Sequence, residues 1–301
     1  MKKLSLKIAA SLFVGSILFT SCSKEETEKE TCTGENFPIE VNKFVKKVTT
    51  QVSGQIIVPE EYAYLYNEFN LLSNKKYVEN SILKNDYAYN YACSNSLTER
   101  SEVNSESDKY EFDVENRLIG FNTSRTFNAD YKLTYEGNII TVEHRENGSA
   151  TIFLEVNDIG LVTKVTRENY DSTVFEYDVN GNITKVEDFR TDGSFIRGYE
   201  VTYDQNPNPF YGQLSSVYLE RFISYFQLTS NGTVDAIFRE GGYKFPYFKN
   251  NPLSITCTYS SSGFRVLVTK EYEYDSDNYP IKMIEKWEEN YHGYTYFIEY
   301  E

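Results

Sequence analysis

Residues 177–186 read YDVNGNITKV, and this stretch decides the fold. It places an aromatic residue and an acid, Tyr177 and Asp178, ahead of a turn made by Asn180 and Gly181, with the apolar residues Ile183 and Val186 beyond it. Asn and Gly accept the positive φ that tight hairpin turns demand, and an Asp side chain bonds to nearby backbone N–H groups. The unit recurs as FDVENRLIGF from Phe112, YEGNIITV from Tyr135, LEVNDIGLVTKV from Leu154 and YDSDNYPIKMI from Tyr274. Weaker copies begin at Leu228 (LTSNGTVDAI), at Tyr259 (YSSSGFRVLV) and at Tyr203 with Asp204. Starts at 112, 135, 154 and 177 lie about 20 residues apart, the length of two strands and two turns. Asn231 with Gly232 repeats the turn signal, and Asn147 with Gly148 and Asp192 with Gly193 mark turns at the opposite end of the hairpins.

The flanks alternate as strands do. Tyr199, Val201 and Tyr203 share one face against Glu200, Thr202 and Asp204, and Tyr294, Tyr296, Ile298 and Tyr300 share a face in the last strand. The expected fold is all-β: a long antiparallel meander of hairpins forming one strongly curved or barrel-like sheet, because an open sheet of more than about ten twisted strands does not stay flat. Strands such as ITKVEDF, 183–189, carry charge on both faces. They cannot lie between two dry layers, so a tyrosine-lined inner surface and charged ladders outside are expected.

With Tyr177, Asp178, Gly181 and Asn182 in order, the unit resembles the YD or RHS repeat, and the chain resembles Bacteroidetes-type lipoproteins of uncharacterised function that contain degenerate copies of it. The resemblance covers residues 106–301. It implies a sheet that coils on itself outside the cell, either spiralling as a shell or closing as a smaller barrel, and it implies no catalytic residues.

The chain has 301 residues, 30 Lys and Arg against 45 Asp and Glu, and 27 Tyr with 20 Phe. So many large rings rule out disorder as a whole. A net charge of −15 excludes nucleic acid as the expected partner, since Lys and Arg on phosphate supply most of that affinity.

The first residues, MKKLSLKIAASLFVGSILFTSC, set Lys2, Lys3 and Lys7 before an uncharged run from Ile8 to Phe19, the layout of a secretory signal and too short a run to span a bilayer. Phe19, Thr20, Ser21 and Cys22 resemble a lipobox, which implies lipidation of Cys22 and a membrane partner through that anchor. The acidic stretch from Ser23 to Asn36 has no core-building residue and reads as a solvated tether. Its opening Ser23, Lys24, Glu25 and Glu26 resemble an export tag of surface lipoproteins. The expected location is the cell envelope, as an outer-membrane lipoprotein with surface exposure as one orientation. Removing the three signal lysines leaves 27 positive against 45 negative charges, or −18, so attachment has to be covalent.

The expected organisation is a signal peptide over 1–21, a tether over 22–36, an N-terminal segment over 37–105 and the repeat domain over 106–301. Within 37–105, Tyr62, Leu65, Tyr66 and Phe69 follow Pro59 at helical spacing and predict one short N-terminal helix packed on the sheet. The polar stretch 94–109 reads as a loop. Of Cys32, Cys93 and Cys257, at most one pair forms a disulfide; Cys93 with Cys257 is preferred because Cys32 lies in the tether, although spacing alone does not decide.

Catalytic chemistry is sparse. His144 and His292 both flank turns, and neither adjoins a nucleophile in sequence. The carboxylates are too many to single out a glycosidase pair. Asp275 to Tyr279, DSDNY, opens like a calcium loop but has Pro280 at the sixth place and Lys286 at the twelfth, which favours a hairpin turn. No metal or cofactor site is expected. The expected role is a binding or structural module without a catalytic centre. A carbohydrate-binding accessory using exposed aromatics is the alternative, and a two-carboxylate glycosidase ranks below it. The densest aromatic cluster, with Tyr243, Phe245, Tyr247 and Phe248, joins Trp287 as a ligand platform for a glycan or another envelope protein.

Overall fold

The computed structural model describes residues 39–52, 60–103, 107–123, 129–145, 151–169, 171–228, 248–260, 265–287 and 293–301. These form β1 (Val45–Val52), β2 (Glu60–Tyr66), β3 (Leu72–Glu79), β4 (Ile82–Tyr91), β5 (Leu97–Glu102), β6 (Asp108–Phe112), β7 (Leu118–Thr123), β8 (Ala129–Glu136), β9 (Ile139–His144), β10 (Ile152–Val156), β11 (Val162–Arg167), β12 (Ser172–Tyr177), β13 (Ile183–Phe189) and β14 (Phe195–Pro207). A 3₁₀ turn (Ser215–Val217) and α1 (Tyr218–Leu228) follow, and then β15 (Asn250–Tyr259), β16 (Arg265–Tyr274), β17 (Pro280–Trp287) and β18 (Gly293–Tyr300).

Each strand pairs antiparallel with its neighbours in sequence, and β18 pairs with β1 from Val45 opposite Tyr300 to Val52 opposite Tyr294, so the 18 strands close into an up-and-down barrel. Closure removes the open edges that a long sheet otherwise presents. Of the two outcomes left open by the repeat, the sheet takes the closed one.

One end of the barrel is built from copies of a single turn. In 67–71, 113–117, 157–161, 178–182 and 275–279, the Oδ1 of the first residue accepts the N–H groups two and four positions later; Asp178, for example, accepts from Asn180 at 2.8 Å and Asn182 at 2.9 Å. The fourth residue is left-handed, as Asn70, Asn116, Gly160, Gly181 and Asn278, and a register shift precedes the turn, as between Glu176 and Tyr177. This is a type I turn closed by a bulge, and it requires a residue that tolerates positive φ at that place. The DSDNY stretch is one of these turns.

The residue just before or near the turn is commonly tyrosine, and its hydroxyl crosses to a carbonyl near the start of the preceding strand. Tyr66 donates to Val45, Tyr91 to Leu72, Tyr135 to Leu118, Tyr177 to Val162, Tyr203 to Ile183, Tyr272 to Pro252 and Tyr300 to Pro280, at 2.6–3.0 Å. The tyrosine of the repeat is therefore a strap across each hairpin as well as an apolar wall residue. Burial, partly offset by Arg117, pushes the Tyr135 hydroxyl up to about 12, so it stays a donor at neutral pH.

Many inward positions are apolar and dry: Val48, Leu154, Val165 and Val186 are fully buried, and each contributes about 1.5–3 kcal/mol. Outward positions carry ion pairs such as Lys47–Glu299 at 2.8 Å and Lys282–Glu273 at 2.6 Å. These exposed pairs are each worth under about 1 kcal/mol. Their service is to keep the wall wet.

Two expectations, the N-terminal helix and the polar loop, are corrected. The 59–69 segment is not a helix: Tyr62, Tyr64 and Tyr66 alternate on β2, with Tyr64 buried and Leu65 half exposed, because pairing on both sides with β1 and β3 outweighs a helical pattern only three turns long. The single α-helix among the described residues is α1, which begins only at Tyr218, well after the N-terminal segment in sequence. The polar stretch 94–109 holds β5 and the start of β6, and β1 to β5 are staves of the same sheet as β6 to β18. The copy expected from Leu228 has Leu228 in α1, and its remainder lies outside the described residues.

Candidate functional site

A circular cylinder of 18 strands, spaced about 4.8 Å apart and tilted about 40°, would be roughly 36 Å across, and barrels of this strand number can hold an aqueous channel. Here the connection between β14 and β15 enters that space. Its first part bonds to the wall around β2 to β6: Gln213 accepts from the N–H of Leu72 at 2.8 Å and donates to the carbonyl of Asn70 at 3.0 Å, and Ser216 accepts from the N–H of Leu97 at 2.9 Å. Phe210 packs on Tyr64 with ring centres 5.2 Å apart. The same segment reaches the wall nine strands away. The N–H of Val162 donates to the Tyr218 hydroxyl at 3.3 Å, and Phe222 meets Phe175 edge-on at 5.2 Å. A segment that touches both of these walls lies in the lumen, and residues 208–228 are its plug.

Among the described residues, three groups of buried ions line the inner wall. Arg100 on β5 holds Asp108 on β6 through Nε at 2.8 Å and Nη2 at 2.7 Å, and its Nη2 lies 3.5 Å from Glu220 of α1. On β12 to β14, Asp188 accepts from Thr173 at 2.6 Å and from Arg197 at 2.5 Å. On β16 and β17, Lys270 lies 3.1 Å from Glu285, whose other oxygen accepts from the Trp287 indole at 2.8 Å. Burial pulls the Lys270 ammonium below the ordinary lysine value, with Glu285 opposing. A buried charge needs such a partner, and each group is arranged as a cation on a carboxylate rather than as a base beside a nucleophile.

Away from the plug, the inner wall of β2 to β4 and β17 to β18 is aromatic and half-buried. Tyr62 and Tyr77 stack at 4.9 Å, Lys75 lies over the Tyr62 ring at 5.2 Å and over Tyr87 at 5.9 Å, and Tyr294 stands 6.2 Å from Tyr296. Burial, with Glu60 second, raises the Tyr62 hydroxyl. This surface can hold neutral or mixed-charge groups by stacking and cation–π contact.

The aromatic platform read from sequence is not assembled among the described residues. Phe248 is fully buried against Tyr203, with ring centres 5.5 Å apart, at the turn-built end. Trp287 ends β17 at the opposite end, half-buried on Glu285. Tyr243, Phe245 and Tyr247 lie outside the described residues, as do Cys22, Cys32 and His292. His144 packs edge-on to Tyr131 at 5.3 Å. Cys257 is a buried thiol on β15, and Cys93, in the turn 92–96, is disulfide-bonded to a sulfur outside the described residues. The preferred Cys93–Cys257 bond is thus not formed: Cys257 faces the packed inner wall beside Tyr199, whereas Cys93 sits on a turn tip. Sequence reading missed Arg100, Glu220 and Gln213, whose signal was only an isolated charge or amide among strand and helix residues.

No protein-family model matches the sequence, and no curated protein matches it. Among solved structures, the chain is similar to a porin-like protein from Bacteroides vulgatus ATCC 8482, at 12% identity and a TM-score of 0.36, with 86% of this chain and 99% of that one covered. A porin-like protein from Bacteroides uniformis ATCC 8492 gives 12%, 0.34, 85% and 96%. The Photorhabdus luminescens Tc holotoxin pore gives 13% identity and a TM-score of 0.33 over 78% of this chain and 13% of that one.

Proposed function

We propose that this chain is a lipid-anchored cell-envelope protein whose barrel stands in water as a rigid, self-plugged interaction body, neither a conduit nor an enzyme. The observation that carries the reading is the direction of the side chains. Outward positions bear Lys–Glu pairs such as Lys164–Glu155 and Lys185–Glu187 in mid-wall, where a lipid-facing stave would lose about 2–4 kcal/mol for each basic residue at the bilayer midplane. Among the described residues no helix is long and apolar enough to cross a membrane, and attachment falls to Cys22. Two or more acyl chains there would hold the protein stably. The plug supports the non-channel half of the reading, because it is bonded to walls nine strands apart.

The test is metabolic labelling with an alkyne fatty acid, followed by membrane fractionation. The wild-type chain is expected to carry label and to sediment with membranes. Cys22→Ala is expected to lose label and to fractionate as a soluble, folded barrel. A Cys22→Ala protein that remains integral to the membrane after carbonate washing refutes the reading.

A further inference from the structure

A barrel's outer wall is convex, yet across β5 to β9 it is notched by a cleft of about 580 Å³. The notch has two causes in the sequence. β5 and β6 share only the register pairs Glu99–Lys109 and Arg100–Asp108 before they part. Next to them, Gly120 on β7 has no side chain, which leaves the place that the Arg145–Glu111 pair of the lining fills. A Cβ there would sit 2.4 Å from Nη2 of Arg145 and 2.8 Å from Oε2 of Glu111, so the position admits only glycine as long as those two stay in place.

Against Gly120, the Arg145 guanidinium grips Glu111 with Nη2 and Nη1, at 2.6 and 3.3 Å, and lies 3.5 Å from Asp130. Arg145 holds the Glu111 carboxyl below the ordinary glutamate range. The opposite lip is Glu99, which accepts from Asn90 at 2.9 Å and is kept ionised by Ser107 and Asn90. Lys109 and the Asn122 amide complete the lining.

We infer that this notch is a saccharide-binding site for one or two neutral or amine-bearing sugar rings. The volume falls within the range of small-ligand pockets. Planar carboxylates, an amide and a guanidinium fixed by one another offer donors and acceptors in pairs, which suits vicinal hydroxyls. Three acids and two bases line it, so its net charge of −1 repels phosphorylated or acidic sugars and tolerates an ammonium. The site is independent of the lipid anchor, and it differs from the aromatic platform expected from sequence.

The experiment uses the full-length protein in a sugar-free detergent. Saturation-transfer NMR with glucosamine, galactosamine, cellobiose and chitobiose as probes, and glucuronic acid beside them, reads binding. At least one of the first four is expected to bind at millimolar or better affinity and glucuronic acid at least fivefold more weakly. Asn122→Ala and Lys109→Ala are each expected to weaken binding at least fivefold with unchanged thermal unfolding, whereas Lys282→Ala on the far outer wall leaves it unchanged. Silence with all four probes overturns the inference. So does binding that survives both notch variants but disappears in Trp287→Ala.

Discussion

Arg100→Met tests whether the plug and the barrel form one cooperative unit. Arg100 is 6% exposed, and its two carboxylate partners, Asp108 and Glu220, are 1% and 3% exposed. Methionine keeps most of the aliphatic stem, so the loss is chiefly the cation. Asp108 then loses its cation in a dry site and Glu220 keeps only Arg221, whose Nε lies 3.9 Å away, which costs about 3–5 kcal/mol. With a urea dependence of about 3 kcal/mol per molar, the midpoint should fall by roughly 1–1.7 M. Trp287, the single tryptophan, reports global unfolding by fluorescence, and hydrogen exchange of the α1 amides reports the plug. Because the cost lies in stranded charge, the triple variant Arg100→Met, Asp108→Asn, Glu220→Gln should recover most of it. A single variant that loses less than about 1 kcal/mol, or a triple variant no better than the single, would refute the reasoning.

Tyr177→Phe, Tyr203→Phe and Tyr300→Phe each remove a strap to a strand-start carbonyl and should each cost about 0.5–1.5 kcal/mol in urea unfolding; equal stability in all three would mean that water replaces the hydroxyl. Asp275 is held below its ordinary 3.8: burial alone would raise it, and Lys43 with the N–H groups of Tyr279 and Asp277 outweighs that. Its stabilisation is therefore full above the unfolded value and is lost as pH falls through the lower folded one, so melting curves below pH 4 should drop more steeply for wild type than for Asp275→Asn. Non-reducing peptide mapping should find Cys93 joined to a cysteine ahead of residue 39, and alkylation should reach Cys257 only after denaturation.

The hairpin chemistry was legible because it is local. Asp178, Asn180 and Gly181 bond within five residues, and neighbouring staves repeat the solution, so no distant partner is needed to recognise it. What was hidden depends on partners far along the chain. Tyr62 to Phe69 fits helical spacing in isolation, and only pairing with β1 and β3 makes it a strand. Arg100 interrupts the apolar alternation of β5, and its meaning rests on Glu220, 120 positions later. Closure was undecidable for the same reason: the bond from the N–H of Glu301 to the carbonyl of Phe44 joins the two ends of the meander, and nothing local in either end announces the other. The notch was invisible because its lining rests on Arg145 meeting Glu111, 34 positions earlier, over a glycine that sequence alone reads as weak strand propensity.

The plug is also explained in part by one of the two hairpins that lack a strap tyrosine, the other being the hairpin that β10 closes with Val156. At the end of β6 the strap tyrosine is replaced by Phe112, which has no hydroxyl to send across to Leu97, and β5 and β6 have the shortest pairing in the barrel. There the N–H of Leu97 turns inward to Ser216, and Arg100 reaches Glu220. One of the plug's anchors thus stands where a strap and most of a ladder are missing, and others lie on Leu72 and Val162, where straps are present. Withdrawing it would strand the Leu97 N–H and the buried Arg100 at the weakest seam of the wall, each at a cost of about 1–3 kcal/mol or more. A plug that swung out to open a channel would need seams that hold without it. This one adds to the wall at that seam, which supports the proposed reading of a plugged body.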